Sequence, residues 1–338
     1  MTRLRLSLCV GGLLLVLVAG GLVWTVSSKG GDGEDLGDRC QGSLAVEEAR
    51  QFFGGARLKA RGHTADWGGY DAQWCSVWAE GHDGGPVLKL RVWPRAAYRS
   101  SGSAADESAT PIGHGWTGSF VSGYSPGAAV LVDCKSMAGA GLLVTAETSE
   151  KSEDLSARQV LQVARVATET ARRAAGRAGC EGALGERPGS VDRAEWATRP
   201  VGRAAGTCGG VMTGREAARL RVTDVTEKPA GRALTEQCGM SRGELDLFSM
   251  TGYYGPSAEE EKHLDNKYPG TVKGAYTRTL ECGGAIGTAY FKLVLPKGKA
   301  ADGAVGTDGA SDPAALKRIL ESYATASGKR HGCPAPTP

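Results

Sequence analysis

At 338 residues, with 41% hydrophobic and 23% charged residues, the chain has the length of two domains and ordinary globular composition, which excludes a wholly disordered polypeptide. Its formal charge is +3, and once Arg3 and Arg5 are set aside, 38 basic residues face 37 acidic ones. That balance argues against a nucleic-acid binder.

After a stub of residues 1–5, the stretch 6–26 carries no charge. It is long enough to cross a bilayer, which takes about 20 apolar residues, whereas the apolar part of a cleaved signal peptide is about 7–15. Because positive charge stays in the cytoplasm, Arg3 and Arg5 leave the bulk of the chain outside, held in the membrane by one helix. The alternative is a cleaved, secreted protein, with small-residue sites at Ala19-Gly20-Gly21 and Val26-Ser27-Ser28. Lipidation at Cys9 is disfavoured by Leu8, which stands where a small residue is needed. Residues 27–39 read as a membrane-proximal linker, and their Gly/Asp stretch lacks the alternating ligands of a calcium loop.

Beyond Cys9, eight cysteines divide into two sets of four with matching surroundings. Cys40-x-Gly leads into a helix over 44–53 capped by Ser43, and Cys208-x-Gly leads into one opened by a Thr213/Glu216 capping box. Cys75 and Cys238 precede strand-like alternations, Leu88/Leu90/Val92 and Leu245/Leu247. Cys134 and Cys282 precede strands over 142–147 and 289–295. Helices over 154–177 and 314–327 then run to Cys180 and Cys333, each preceded by glycine as helix ends prefer. The four-cysteine repeats are therefore 40–180 and 208–333, joined by a Gly/Ala/Arg/Pro-rich linker, 181–207, and followed by a tail, 334–338.

Outside the cytoplasm an even cysteine count implies disulfides. Two per repeat allow three schemes, and the nested one is favoured, since domain termini are often close. It pairs Cys40 with Cys180, Cys75 with Cys134, Cys208 with Cys333 and Cys238 with Cys282. A Cys40–Cys75 link would exclude it.

No linear motif for catalysis, cofactor or metal stands up. There is no Cys-x-x-Cys. Gly123-Tyr124-Ser125-Pro126-Gly127 has the outline of a nucleophile elbow, but Pro126 has no N–H to give an oxyanion hole, so a turn between strands is expected. His63, His82, His114 and His331 read as exposed loop residues. The acidic stretch 259–265 with His263 reads as a solvated loop rather than a divalent-ion site. Arg158, Arg165, Arg172, Arg173 and Arg177 form a basic stripe read as a solvated helix face.

The repeats differ in one respect. Trp67, Trp74, Trp78, Trp93 and Trp116 lie in the first, and the second has no tryptophan. If Cys75, Val77 and Ala79 face inward, Trp74 and Trp78 face outward with Lys89, Arg91 and Trp93. That face is either a second covered core layer, a contact with the other module or a partner, or a platform for glycan. The matching Glu244, Asp246 and Phe248 would give the second repeat an acidic counterpart onto which the first could pack.

The pattern Cys40-x-Gly, helix, Trp74-Cys75-Ser76-x-Trp78 resembles actinobacterial membrane-anchored cell-envelope proteins and lipoproteins, and the richness in Ala, Gly and Arg looks like a high-GC actinobacterium. The resemblance covers the first half of each repeat. The chain departs from it in having no lipobox around Cys9 and no tryptophan beside Cys238. It implies location and fold only, with no catalytic residue to carry over.

The expected fold is α+β: two tandem repeats of an antiparallel sheet with helices packed on one face, after an N-terminal transmembrane helix. The expected function is a non-enzymatic, extracytoplasmic binding or scaffolding module of the cell envelope. Its partner would be an envelope protein or a cell-wall polymer, met through Trp74, Trp78, Trp93, Lys89 and Arg91. An envelope hydrolase without a linear motif is the rival class.

Overall fold

The computed structural model describes residues 36–66, 69–81, 84–97, 109–123, 125–193, 195–269, 275–296 and 312–334. The candidate membrane segment 6–26, Trp67 and His82 lie outside them. Among the described residues no helix is long and apolar enough to cross a membrane.

The chain is α+β, with two antiparallel sheets. In the first half, α1 (Val46–Phe52) precedes β1 (Leu58–Asp66), β2 (Asp71–Ala79) and β3 (Val87–Pro94). Then come β4 (Thr110–Pro111), β5 (Thr117–Val121), β6 (Gly127–Asp133), β7 (Gly141–Thr148) and the long α2 (Ala157–Ala178). The second half opens with β8 (Ala197–Pro200) and α3 (Gly214–Leu220), followed by β9 (Asp224–Glu227), β10 (Thr235–Arg242) and β11 (Leu245–Tyr254). It ends with α4 (Pro256–Lys267), β12 (Tyr276–Glu281), β13 (Thr288–Val294) and α5 (Pro313–Arg330).

The strand orders are β1-β2-β3-β7-β6-β5-β4 and β12-β13-β11-β10-β9-β8. Setting β9, β10, β11, β12 and β13 on β1, β2, β3, β6 and β7 gives these five strands one order in both sheets, with β5 and β4 added beyond β6 in the first and β8 added beyond β9 in the second. Each half is thus a helix, three strands, an insertion, two strands and a closing helix. The insertion is β4–β5 in the first half and α4 in the second.

Local chemistry sets the element ends. Ser156 and Gln159 form a capping box at the start of α2, and Gly179 ends it in the left-handed region at φ 65°. Val160, Val163, Ala167, Ala171 and Ala174 recur at helical spacing and face the sheet, where they join Val77, Leu90, Val130 and Val144 in one core. Thr213 and Glu216 cap α3 as the sequence predicts, and those hydrogen bonds hold the Glu216 carboxyl below its ordinary range. Ser43 does not cap α1, which starts after Ala45. Its buried hydroxyl donates instead to Gln73 Oε1 at 2.7 Å, a competing partner the sequence does not reveal.

The disulfides correct the nested scheme. Cys40 pairs with Cys75, Cys134 with Cys180, Cys208 with Cys238 and Cys282 with Cys333. The premise behind nesting holds, since the start of α1 does lie beside the end of α2: Arg173 Nη1 donates to Leu44 O at 3.2 Å and Arg177 bonds Ser43 Oγ. The cysteines point elsewhere. Cys40 drops onto the inner face of β2, where Cys75 projects into the core, while Cys134 ends β6 beneath the last turn of α2. In both halves the first pair ties the opening segment to the second strand, and the second ties the last-but-one strand to the closing helix. Each link contributes roughly 4 kcal/mol in the chain-entropy account. Peptide mapping without reductant is expected to return these four linked pairs; a Cys40–Cys180 peptide would contradict the arrangement.

Helices do not all lie on one face. In β13, Phe291 and Leu293 point to α5, where Phe291 meets the Tyr323 ring edge-on at 6.0 Å. Tyr290 and Lys292 point the other way, to α4: Tyr290 donates to Asp265 at 2.9 Å, and Lys292 to Asp265 at 2.7 Å and Glu261 at 3.2 Å. Alternation along one strand thus serves helices on both faces.

The halves are joined by a shared core and by the turn 283–287. The outer face of the first sheet, through Trp93, Ala129, Leu131 and Leu143, shares a core with the second half. Arg95 donates to Ala285 O at 2.5 Å, Ile286 O at 3.1 Å and Glu259 of α4 at 2.5 Å, while Asp133 accepts from Ala285 N at 2.5 Å. Gly284, at φ 61°, sits so close to Asp133 that a Cβ would lie 2.2 Å from its Oδ1. Backbone bonds from Gly118 N to Arg232 O at 2.8 Å extend the seam.

The segment 181–207 is a strap rather than a loose linker. Arg165 donates to Pro188 O and Arg172 to Gly185 O, and the Trp116 indole N–H donates to Glu186 O. Its end forms β8 at the edge of the second sheet. The arginine stripe of α2 is therefore largely a set of clamps, on the strap through Arg165 and Arg172 and on the start of α1 through Arg173 and Arg177.

Candidate functional site

In β2, Cys75, Val77 and Ala79 are buried, while Trp74, Ser76 and Trp78 are only part-buried, so the outward face expected from alternation is present. Cross-strand pairing lays it out in rows. One row runs Arg61, Ser76, Lys89, Glu147, and the next His63, Trp74, Arg91, Thr145. Lys59 stands opposite Trp78 at the open end.

The five residues nominated from sequence separate here. Trp93 is 5% exposed and belongs to the core shared by the two halves. Trp74 packs against that core at its border, 5.1 Å from Trp93 between ring centroids, with the Arg91 guanidinium 4.6 Å over its ring. Arg91 is held from the other side by Glu147 at 2.8 Å. Trp78 belongs to neither core, and Lys89 is exposed. The sequence missed β1, which adds exposed Lys59, Arg61 and His63, the last stacked on Trp74 at 6.0 Å. Its Lys-x-Arg-x-His alternation opposite the tryptophans was the available signal. Lys59 faces Glu80 at 3.4 Å, whereas Arg61 and Lys89 form no ion pair among the described residues.

The proposed counterpart on the second repeat is corrected. Glu244 and Asp246 are exposed, but Phe248 is 2% exposed and joins the second core. A register shift between Met240 and Ser241 breaks the alternation on which that expectation rested. The halves meet instead through the core around Trp93, Leu131 and Leu143 and through the turn 283–287.

With Cys238 set on Cys75, the row Arg61, Ser76, Lys89, Glu147 corresponds to Thr226, Gly239, Ser249, Val294, which pair in the same cross-strand order. Small side chains there leave a trough of about 400 Å³, walled by Trp196 and Pro296 and flanked by Gln237 and Asp246. The two sheets therefore differ at one location, which holds Arg61, Lys89 and Glu147 in the first and is open among the described residues in the second.

The acidic stretch 259–265 belongs to helix α4, not to a loop. Three of its carboxylates are engaged by Arg95 and Lys292: α4 packs on β11 and β13 of the second sheet, beside Lys292, and Glu259 reaches Arg95 of the first half. Among the described residues no cluster of three His, Cys, Asp or Glu is placed to hold a metal. Ser125 lies in the connection between β5 and β6.

A buried polar network fills the core of the second half. The Glu236 carboxylate, 3% exposed, accepts from Arg330 at 2.7 Å and from Ser327 Oγ, which also bonds the Tyr254 hydroxyl. Burial pulls the Arg330 guanidinium down, but Glu236 outweighs it, and the net shift is upward. His331 is buried rather than exposed: its ring stacks on Tyr254 at 3.4 Å, with Nε2 2.7 Å from Ala233 O and Nδ1 3.0 Å from Ser327 O. Neither ring nitrogen faces the Ser327 hydroxyl, so the trio is not arranged for nucleophilic attack.

Burial lowers the His331 imidazole from its ordinary value of 6.5, against the pull of Glu236 and the two carbonyls. A depressed imidazole contributes stability that is complete above 6.5 and is lost as pH falls through the lowered folded value. Relative to a His331→Gln variant, the native chain should therefore lose stability as pH falls below 6.5. Urea unfolding at each pH checks this; a difference that does not change with pH would show that His331 does not titrate on unfolding.

Fold and faces together define a tandem pair of disulfide-stapled α+β modules joined through a shared core and the turn 283–287. Compared with protein-family models, curated proteins and solved structures, the chain matches none.

Proposed function

We propose that this protein is a non-enzymatic binding module of the cell envelope, held outside the membrane by the segment 6–26, and that its first sheet binds an anionic polysaccharide. The observation that supports this reading is the outer face of β1–β3, where Lys59, Arg61, His63 and Lys89 are exposed around part-buried Trp74 and Trp78. Cations on such a face attract carboxylate or phosphate groups, and an indole ring can stack on a sugar ring, a role that falls to Trp78 because Arg91 and His63 already lie against the Trp74 ring. The four disulfides fit an oxidising, extracytoplasmic compartment.

The test is calorimetric titration of residues 30–338 with oligomeric alginate, neutral dextran and poly-glutamate. Alginate should bind, more weakly as salt screens the face, and dextran should not bind there. An Arg61→Ala/Lys89→Ala double variant should lose roughly tenfold in alginate affinity, about 1.4 kcal/mol, without losing stability. Binding of poly-glutamate alone would replace the polysaccharide with an acidic protein surface. Alginate affinity unchanged in the variant would overturn the assignment of the face.

A further inference from the structure

We infer that the trough on the second sheet is a separate binding site for an uncharged sugar unit. It exists because of what the strands lack. The outer row Thr226, Gly239, Ser249 carries no side chain larger than threonine, and Gly239 places no Cβ at its centre. On a paired sheet such a row leaves a channel between taller neighbours.

One neighbour is Trp196, 39% exposed, one of the large apolar side chains left in solvent among the described residues. It is fixed rather than free: Lys228 Nζ lies 4.9 Å over its ring, and β8 begins at the next residue and is paired to β9. An indole fixed at the wall of a cleft offers an apolar surface to the C–H face of a pyranose ring. The floor and flanks supply the matching polar groups, with hydroxyls on Thr226 and Ser249, an amide on Gln237 and a carboxylate on Asp246. These serve both as donors and as acceptors, which suits the hydroxyls of a sugar. The volume of about 400 Å³ lies within the range of small-molecule sites. Charge separates this site from the first: its row has no cation, where the equivalent row of the first module has Arg61 and Lys89.

Gly239 supplies the sharpest test. A Cβ added there meets Thr226 Cβ at 3.4 Å, an ordinary contact, so a larger side chain fits the backbone and projects into the trough. Residues 30–338 are titrated with maltohexaose, cellohexaose and chitohexaose, following tryptophan fluorescence and heat. At least one should bind, and Gly239→Leu and Trp196→Ala should each weaken it at least tenfold while thermal unfolding stays unchanged. The Arg61→Ala/Lys89→Ala variant should bind the neutral sugar as the native chain does, and Gly239→Leu should bind alginate as the native chain does, so failure of either site is read independently. No binding of any of the three, or binding undiminished in both trough variants, would overturn the inference.

Discussion

Replacing Glu236 by alanine is expected to destabilise the protein by about 3–5 kcal/mol, the usual consequence of removing one partner from a buried ion pair. The change leaves the Arg330 guanidinium, whose side chain is 21% exposed, without its counter-charge. It also takes from Ser327 the acceptor of its hydroxyl, the bond that leaves the Ser327 oxygen free to accept from Tyr254. Burial holds the Tyr254 and Tyr323 hydroxyls well above their ordinary range, with the Glu236 charge adding to it, so the site offers no substitute anion. Glu236→Gln keeps the shape and one acceptor and should cost less, roughly 1.5–3 kcal/mol. Urea unfolding measures both; a loss below about 1 kcal/mol for the alanine variant would show that the network relaxes around the gap.

Arg95→Ala should cost about 3 kcal/mol and concentrate its effect on the seam between the halves. The ion pair with half-exposed Glu259 contributes little, since water screens it. The larger part comes from the carbonyls of Ala285 and Ile286, which a charged donor satisfies where water is excluded. Arg95→Lys should recover only part, because a lysine ammonium does not reproduce the guanidinium fork. Hydrogen exchange should then quicken at Ala285, whose N–H is held by Asp133, and at Gly118. Exchange unchanged at both would place the cohesion of the halves elsewhere.

Much of this architecture was legible in the chain. Cysteine order, the Thr213/Glu216 box and the alternation through Cys75, Val77 and Ala79 are local signals, and each corresponds to structure. What failed depended on contacts between distant residues. Nesting of the disulfides followed from adjacent termini, yet Cys40 is aimed by its seat on β2, not by the proximity of α1 to α2. The 259–265 stretch looked solvated because Arg95 and Lys292, its partners, lie far off in sequence. His331 seemed exposed because glycine follows it, whereas its ring is buried against Tyr254.

The same division holds for the candidate site. Trp74, Trp78, Lys89 and Arg91 were found by period-two alternation, but the burial of Trp93 required knowing where the second half sits. The trough could not be read from periodicity, since a row of small residues in a strand leaves no apolar pattern. It becomes visible when the two sheets are aligned through Cys75 and Cys238.

Hydrogen–deuterium exchange of residues 30–338 with and without alginate tests the central claim most directly. Protection is expected at 57–63, 74–78 and 87–91, with the exposed side of α2 and the trough strand 237–240 unchanged. A footprint on α2 or on the second sheet, with β1–β3 unaltered, would contradict the account.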